Sequence, residues 1–103
     1  MTHTRPAVER TLHILVEGRV QGVGFRMWVA IEAEARGLAG WVHNRRTGAV
    51  EAVLAGTAGA VEDMLAACRR GPPAARVDAL HVIGDVDDGS LGTFAAFDVR
   101  ATV

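Results

Sequence analysis

The sequence predicts an α/β (α+β) sandwich in which an antiparallel sheet carries two helices on one face. Three observations predict it. Apolar residues recur with a period of two in some segments and near 3.6 in others, which separates strands from helices. Glycine and proline punctuate the changes of period, at Gly37, Gly48, Gly56 and Gly71-Pro72-Pro73. The resulting order is strand, helix, strand, strand, helix, strand, with a final strand attached, so each helix crosses over the sheet and both cover the same side of it. That order is the ferredoxin-like βαββαβ sandwich.

Each element has its own warrant. Residues 1–10 are polar, contain Pro6, and are expected to form a flexible lead-in to one domain over residues 11–103. From Leu12 to Glu17 the chain alternates, with Leu12, Ile14 and Val16 on one face and His13, Leu15 and Glu17 on the other, so His13 is expected to face solvent. A helix is expected from Phe25 to Arg36, burying Trp28, Ile31, Ala35 and Leu38, turning Glu32, Glu34 and Arg36 to water, and closing at Gly37. Gly40 to Asn44 and Ala49 to Ala55 are β-prone arms joined by Arg45-Arg46-Thr47-Gly48, a hairpin. Thr57 is the expected N-cap of a second helix whose stripe is Val61, Met64, Leu65 and Cys68, and which ends at Gly71. Arg76 to Ile83 and Phe94 to Arg100 read as the last two strands. Between them, Gly84 to Gly92 reads as a solvated acidic loop holding Asp85, Asp87 and Asp88; it lacks the ligand spacing and closing glutamate of an EF-hand.

Composition narrows the functional classes. With 103 residues, half of them hydrophobic, the chain supports one core and no more. A net charge of -1 gives no general attraction to nucleic acid or to a membrane surface, so any preference for anions must be local. No apolar run approaches the roughly 20 residues that span a bilayer, and residues 1–10 lack the apolar centre of a signal peptide, so a cytoplasmic monomer is expected. Cys68 is alone and reads as a buried thiol. His3, His13, His43 and His81 show no i, i+4 pair of the zinc-site kind.

The stretch that carries chemistry is Gly18-Arg19-Val20-Gln21-Gly22-Val23-Gly24-Phe25-Arg26. Gly18, Gly22 and Gly24 allow positive φ and close approach, so that several N–H groups can converge on one anion. A helix start near Phe25 adds unpaired N–H groups and partial positive charge, and Arg26 in its first turn can fold back over the loop and grip phosphate oxygens in pairs. The bland alternative is a tight strand-to-helix loop. The loop is not a Walker A motif, since the chain has no lysine, nor a dinucleotide fingerprint, since Met27 stands where the third glycine would be. Asn44, at the end of a strand before a glycine turn, reads by itself as a turn former. Period-2 geometry turns His43 away from the face of Asn44.

Three segments together, the 18–26 stretch, Gly37-Leu38-Ala39-Gly40-Trp41-Val42-His43-Asn44 and Thr47-Gly48-Ala49-Val50-Glu51, resemble the acylphosphatase family. Gly71-Pro72-Pro73-Ala74-Ala75-Arg76-Val77 resembles its link into the fourth strand, and Phe97-Asp98-Val99-Arg100 its last strand. The resemblance implies hydrolysis of a small acyl phosphate to a carboxylate and inorganic phosphate, without metal or other cofactor. It implies that Arg26 binds phosphate, that Asn44 positions the attacking water, and that the backbone of Arg19, Val20, Gln21, Gly22, Val23 and Gly24 forms the cradle. Arg45 and Arg46 depart from the commonest pattern, and Thr47 stands where an acidic residue is frequent; both arginines read as solvated charges. The chemistry is consistent, because a carboxylate leaves without acid help and the reaction asks mainly for charge stabilisation and in-line positioning. Two other classes compete. An anion-binding module would keep the cradle without turnover, and a nucleic-acid binder of the same topology would need exposed aromatics on the strand at Leu12 to Val16, where there are none.

Overall fold

Residues 8–87 and 89–103 are described by the computed structural model, so the expectations for residues 1–7 and for Asp88 lie outside the described part. Seven elements follow one another: β1 (Arg10–Arg19), α1 (Phe25–Ala35), β2 (Ala39–Asn44), β3 (Val50–Gly56), α2 (Ala58–Arg70), β4 (Arg76–Val86) and β5 (Phe97–Val99). The strands form one sheet in the order β4-β1-β3-β2-β5. β1 pairs antiparallel with β3 and β4, and β2 antiparallel with β3, but β5 runs parallel to β2. The sheet is therefore mixed rather than wholly antiparallel. The reason lies in where β4 ends: Val86 sits opposite Thr11, at the end of the sheet where β2 begins, so a chain crossing that end meets β2 at its start and runs alongside it.

Leu12, Ile14 and Val16 are fully buried under the helices, as their alternation predicts, and meet Val61, Met64, Leu65 and Cys68 of α2. The cap of α2 is Thr57, whose Oγ1 accepts from Ala60 N–H at 3.2 Å. The stripe of α1 differs from the expected one. Phe25, Val29, Ala30 and Ala33 face the core, Trp28 is half-buried against the Phe25 ring, Ala35 is exposed, and Ile31 is 60% exposed. Phe25 enters the core straight from the loop before it and sets the phase, so the larger Ile31 ends on the outer side. The helix closes with Gly37 at φ +71°, Gly37 N–H donating to Glu34 C=O and Leu38 N–H to Ala33 C=O, the paired bonds of a Schellman ending. Arg36 does not simply face water; it donates to Asp63 on α2 at 2.7 Å and to Glu32 at 3.1 Å.

Three other boundaries move for identifiable reasons. Glu9 and Arg10 are tied in rather than loose: Glu9 N–H donates to Gly56 C=O at 2.8 Å, and Arg10 bridges Glu62 on α2 and Asp85 on β4. That bridge draws Asp85 out of the expected acidic loop into a strand, and the Arg10 hydrogen bond holds its carboxyl below the usual range. The last strand keeps only Phe97–Val99, which pair with Gly40 to Val42 of β2.

Candidate active site

β1 carries the chain further than expected, so that Gly18 and Arg19 belong to the strand. Gly18 sits at an irregularity in the pairing with β4, and a Cβ there would lie 2.1 Å from the Arg76 carbonyl oxygen. Its glycine serves close strand approach, not the anion cradle. The loop proper is Val20 to Gly24. Gly22 and Gly24 have φ of +74° and +75° with open space where a side chain would be, so conformation and not crowding requires glycine at both. Gly24 is the N-cap of α1 and has no side-chain cap. The first bond of the helix runs from Trp28 N–H to Gly24 C=O at 3.0 Å, and among the described residues nothing accepts from the backbone N–H groups of Gln21 to Met27.

A cleft of about 450 Å³ opens over this loop. It brings together Val20, Gln21, Gly22, Gly24, Arg26 and Asn44 of the expected site, while Arg19 and Val23 do not line it; Arg19 is exposed on the strand and Val23 packs against the core. The Gln21 side chain is already committed, since its Nε2 donates to the carbonyls of Arg45 at 2.7 Å and Ala49 at 2.8 Å and so ties the loop to the β2–β3 turn. Arg26 Nη1 donates to Arg100 C=O at 3.0 Å. Asn44 Oδ1 is buried and has no hydrogen-bond partner, alone in this among the described side-chain polar atoms. A buried acceptor left unpaired costs about 1–3 kcal/mol, and the residue that carries it is also part of the cleft wall.

Sequence reasoning missed the far wall. Val99, Arg100 and Ala101 line the cleft, and the segment after β5 is bonded to β2 through Arg100 N–H to Val42 C=O and Val103 N–H to Asn44 C=O. Knowing that β5 joins the β2 edge in parallel would have revealed it, but nothing local encodes that choice. The opposite face of the sheet held a second surprise. His13 is half-buried rather than free in solvent, and Arg45 is not a purely solvated charge: both contact Glu51, as does His43. Burial pushes the Glu51 carboxyl up, yet the hydrogen bonds to His43 and His13 outweigh it and leave it below its usual range. His43 does face away from Asn44. Among the described residues, no group of three His, Cys, Asp or Glu side chains is arranged to hold a metal ion.

Comparison with known proteins identifies the family and the fold. A family model described as Acylphosphatase matches residues 12–97. The chain is 54% identical to the acylphosphatase of Azorhizobium caulinodans over the full length of both, and 64% identical to that of Nitrobacter hamburgensis over 66% of this chain and 69% of the relative. The crystal structure of acylphosphatase from Bacillus subtilis matches with a TM-score of 0.82 at 38% identity, over 88% of this chain and 98% of that one. An acylphosphatase structure from Coxiella burnetii matches with a TM-score of 0.79 at 33% identity, over 89% and 94%. A family model spanning most of the chain, a relative aligned end to end and the shared fold lead to one conclusion: the chain belongs to the acylphosphatase family.

Proposed function

We propose that this cleft hydrolyses the carboxyl-phosphate bond of small acyl phosphates, with Arg26 and the N–H groups of the 20–24 loop holding the phosphoryl group and Asn44 orienting the attacking water. Activity on acyl phosphates follows from family membership; the division of labour is our reading of the site. The single observation that carries it is Asn44, which lines the same cleft as Arg26 and the 20–24 loop and whose buried Oδ1 has no partner among the described residues.

The uncapped start of α1 presents partial positive charge to the phosphoryl oxygens. The guanidinium adds a full charge and a planar fork, steadied by the Arg100 carbonyl. Asn44 Oδ1 accepts a hydrogen bond from a water, which turns a lone pair of that water toward phosphorus. The water oxygen then bonds to phosphorus, the bond from phosphorus to the carboxyl oxygen breaks, and its electron pair leaves with the carboxylate. Both water protons remain with the released phosphate. Because the departing carboxylate is stable, no general acid is needed, and charge stabilisation with orientation supplies the rate. The same argument makes a metal ion or other cofactor unnecessary.

The test combines one substrate pair with one variant. The protein is expected to hydrolyse benzoyl phosphate in excess EDTA and to be far slower on an alkyl phosphate monoester, whose leaving group needs a proton. Asn44→Ala is expected to lose several orders of magnitude in kcat while inhibition by inorganic phosphate stays unchanged, since orientation accounts for much of a hydrolytic barrier. An active but less stable Asn44→Ala would make this residue a turn former and overturn the reading. We also take residues 11–103 as one domain acting as a cytoplasmic monomer on a small molecule, with no nucleic-acid or membrane partner. The near-neutral charge and a site closed within one chain support this, and sedimentation at working concentration checks the oligomeric state.

A further inference from the structure

On the face of the sheet turned away from the helices, one carboxylate gathers three side chains. Glu51 on β3 is only 8% exposed. Its Oε1 lies 2.6 Å from His43 Nε2 and accepts from Arg45 Nη1 at 3.2 Å, while its Oε2 lies 2.5 Å from His13 Nε2. His43 and Arg45 are the residues immediately before and after Asn44. Successive side chains on a strand point to opposite faces, so the strand that brings Asn44 to the cleft turns His43 toward Glu51, and Arg45, just past the strand end, reaches the same carboxylate. The turn is tied twice more, by Arg45 N–H to Ala49 C=O at 2.8 Å and by Gln21 Nε2 to Arg45 C=O at 2.7 Å. The position has a cost, because an almost enclosed carboxylate loses hydration that only well-placed partners restore.

We infer that Glu51 is a positioning residue for the hydrolysis: by holding the side chains on both sides of Asn44 it fixes the rotation of the β2 end and hence the direction of the Asn44 amide. The side-chain partners of Glu51 are His13, His43 and Arg45, none of them in the 20–24 loop, and Glu51 does not line the cleft, so its influence falls on the step that needs a directed water and not on phosphate capture. The inference rests on the reading of Asn44 as the water's holder.

The experiment is a double-mutant cycle on benzoyl phosphate, with inorganic phosphate as a competitive inhibitor and the melting temperature as a control. Glu51→Gln keeps the shape and one acceptor oxygen but gives up the charge. It is expected to lower kcat by about tenfold to hundredfold, the scale of a small misplacement at a reacting centre, with KM and phosphate inhibition unchanged within about twofold. In the Asn44→Ala background the same change should lower kcat no further. A wild-type kcat for Glu51→Gln, or an additional loss in the double variant, overturns the inference. Normal turnover in Asn44→Ala alone overturns the reading of Asn44 instead. Should Glu51→Gln fail to fold, Arg45→Ala decides: its side chain is 44% exposed and removes one tie only, and a kcat equal to wild type in that variant overturns the inference as well.

Discussion

The two helices begin in opposite ways. At α2, Thr57 Oγ1 accepts from Ala60 N–H and Glu9 Oε1 accepts from Ala58 N–H, so two of the four orphan donors of the first turn are answered by side chains. At α1, a left-handed glycine stands at the cap and no side chain answers. Both ends carry the same partial positive charge. One spends it on a fold contact, and the other leaves it facing a cleft beside an arginine. The difference separates a helix start that holds structure from one whose N–H groups border the cleft, where the proposed function puts the phosphoryl group.

The strongest challenge to that contrast is Arg26→Lys. Lysine keeps the charge but loses the planar fork and the bond to the Arg100 carbonyl, and kcat/KM is expected to fall about a hundredfold to a thousandfold, with weaker phosphate inhibition. Near-normal kinetics would show that another group holds the phosphate. Next in size is Gly24→Ala. An L side chain at φ +75° is strained by about 1–2 kcal/mol, so the loop shifts and phosphate inhibition should weaken by roughly tenfold, read directly from inhibition constants. Smallest in function is Thr57→Ala, which should cost about 1 kcal/mol in denaturant unfolding and leave kcat/KM where it was. If Thr57→Ala impaired turnover, or Gly24→Ala changed only stability, the two starts would be of one kind.

The same pair of helices shows why some of the molecule can be read from its sequence. In α2 the large apolar residues Val61, Met64, Leu65 and Cys68 stand one helical face apart, flanked by Glu62, Asp63, Arg69 and Arg70, and the buried face is the one they mark. In α1 two phases compete, and the winner is chosen by Phe25, which the loop delivers into the core; the small residues Ala30 and Ala33 then pack where a larger stripe was expected. The site divides likewise. Gly22, Gly24 and Arg26 announce themselves within one short stretch, because their chemistry is local. Asn44 took its meaning from the family resemblance, since an asparagine before a turn has an ordinary explanation. Arg100 and Glu51 were out of reach. The first depends on which sheet edge the last strand joins, and the second meets partners 8 and 38 residues away that only the strand register brings together.

Cys68 offers a consequence of a different sort. It is the chain's single thiol, wholly enclosed in the core, and burial pushes it up to about 12. Alkylating reagents attack the thiolate, so in the closed molecule this sulfur is silent near neutrality, whereas in the opened chain it returns to about 8.5 and reacts. Its rate of labelling therefore clocks how often the core comes apart. The protein carries an internal gauge, outside the residues that line the cleft, by which a variant that has lost its chemistry can be told from one that has merely begun to breathe.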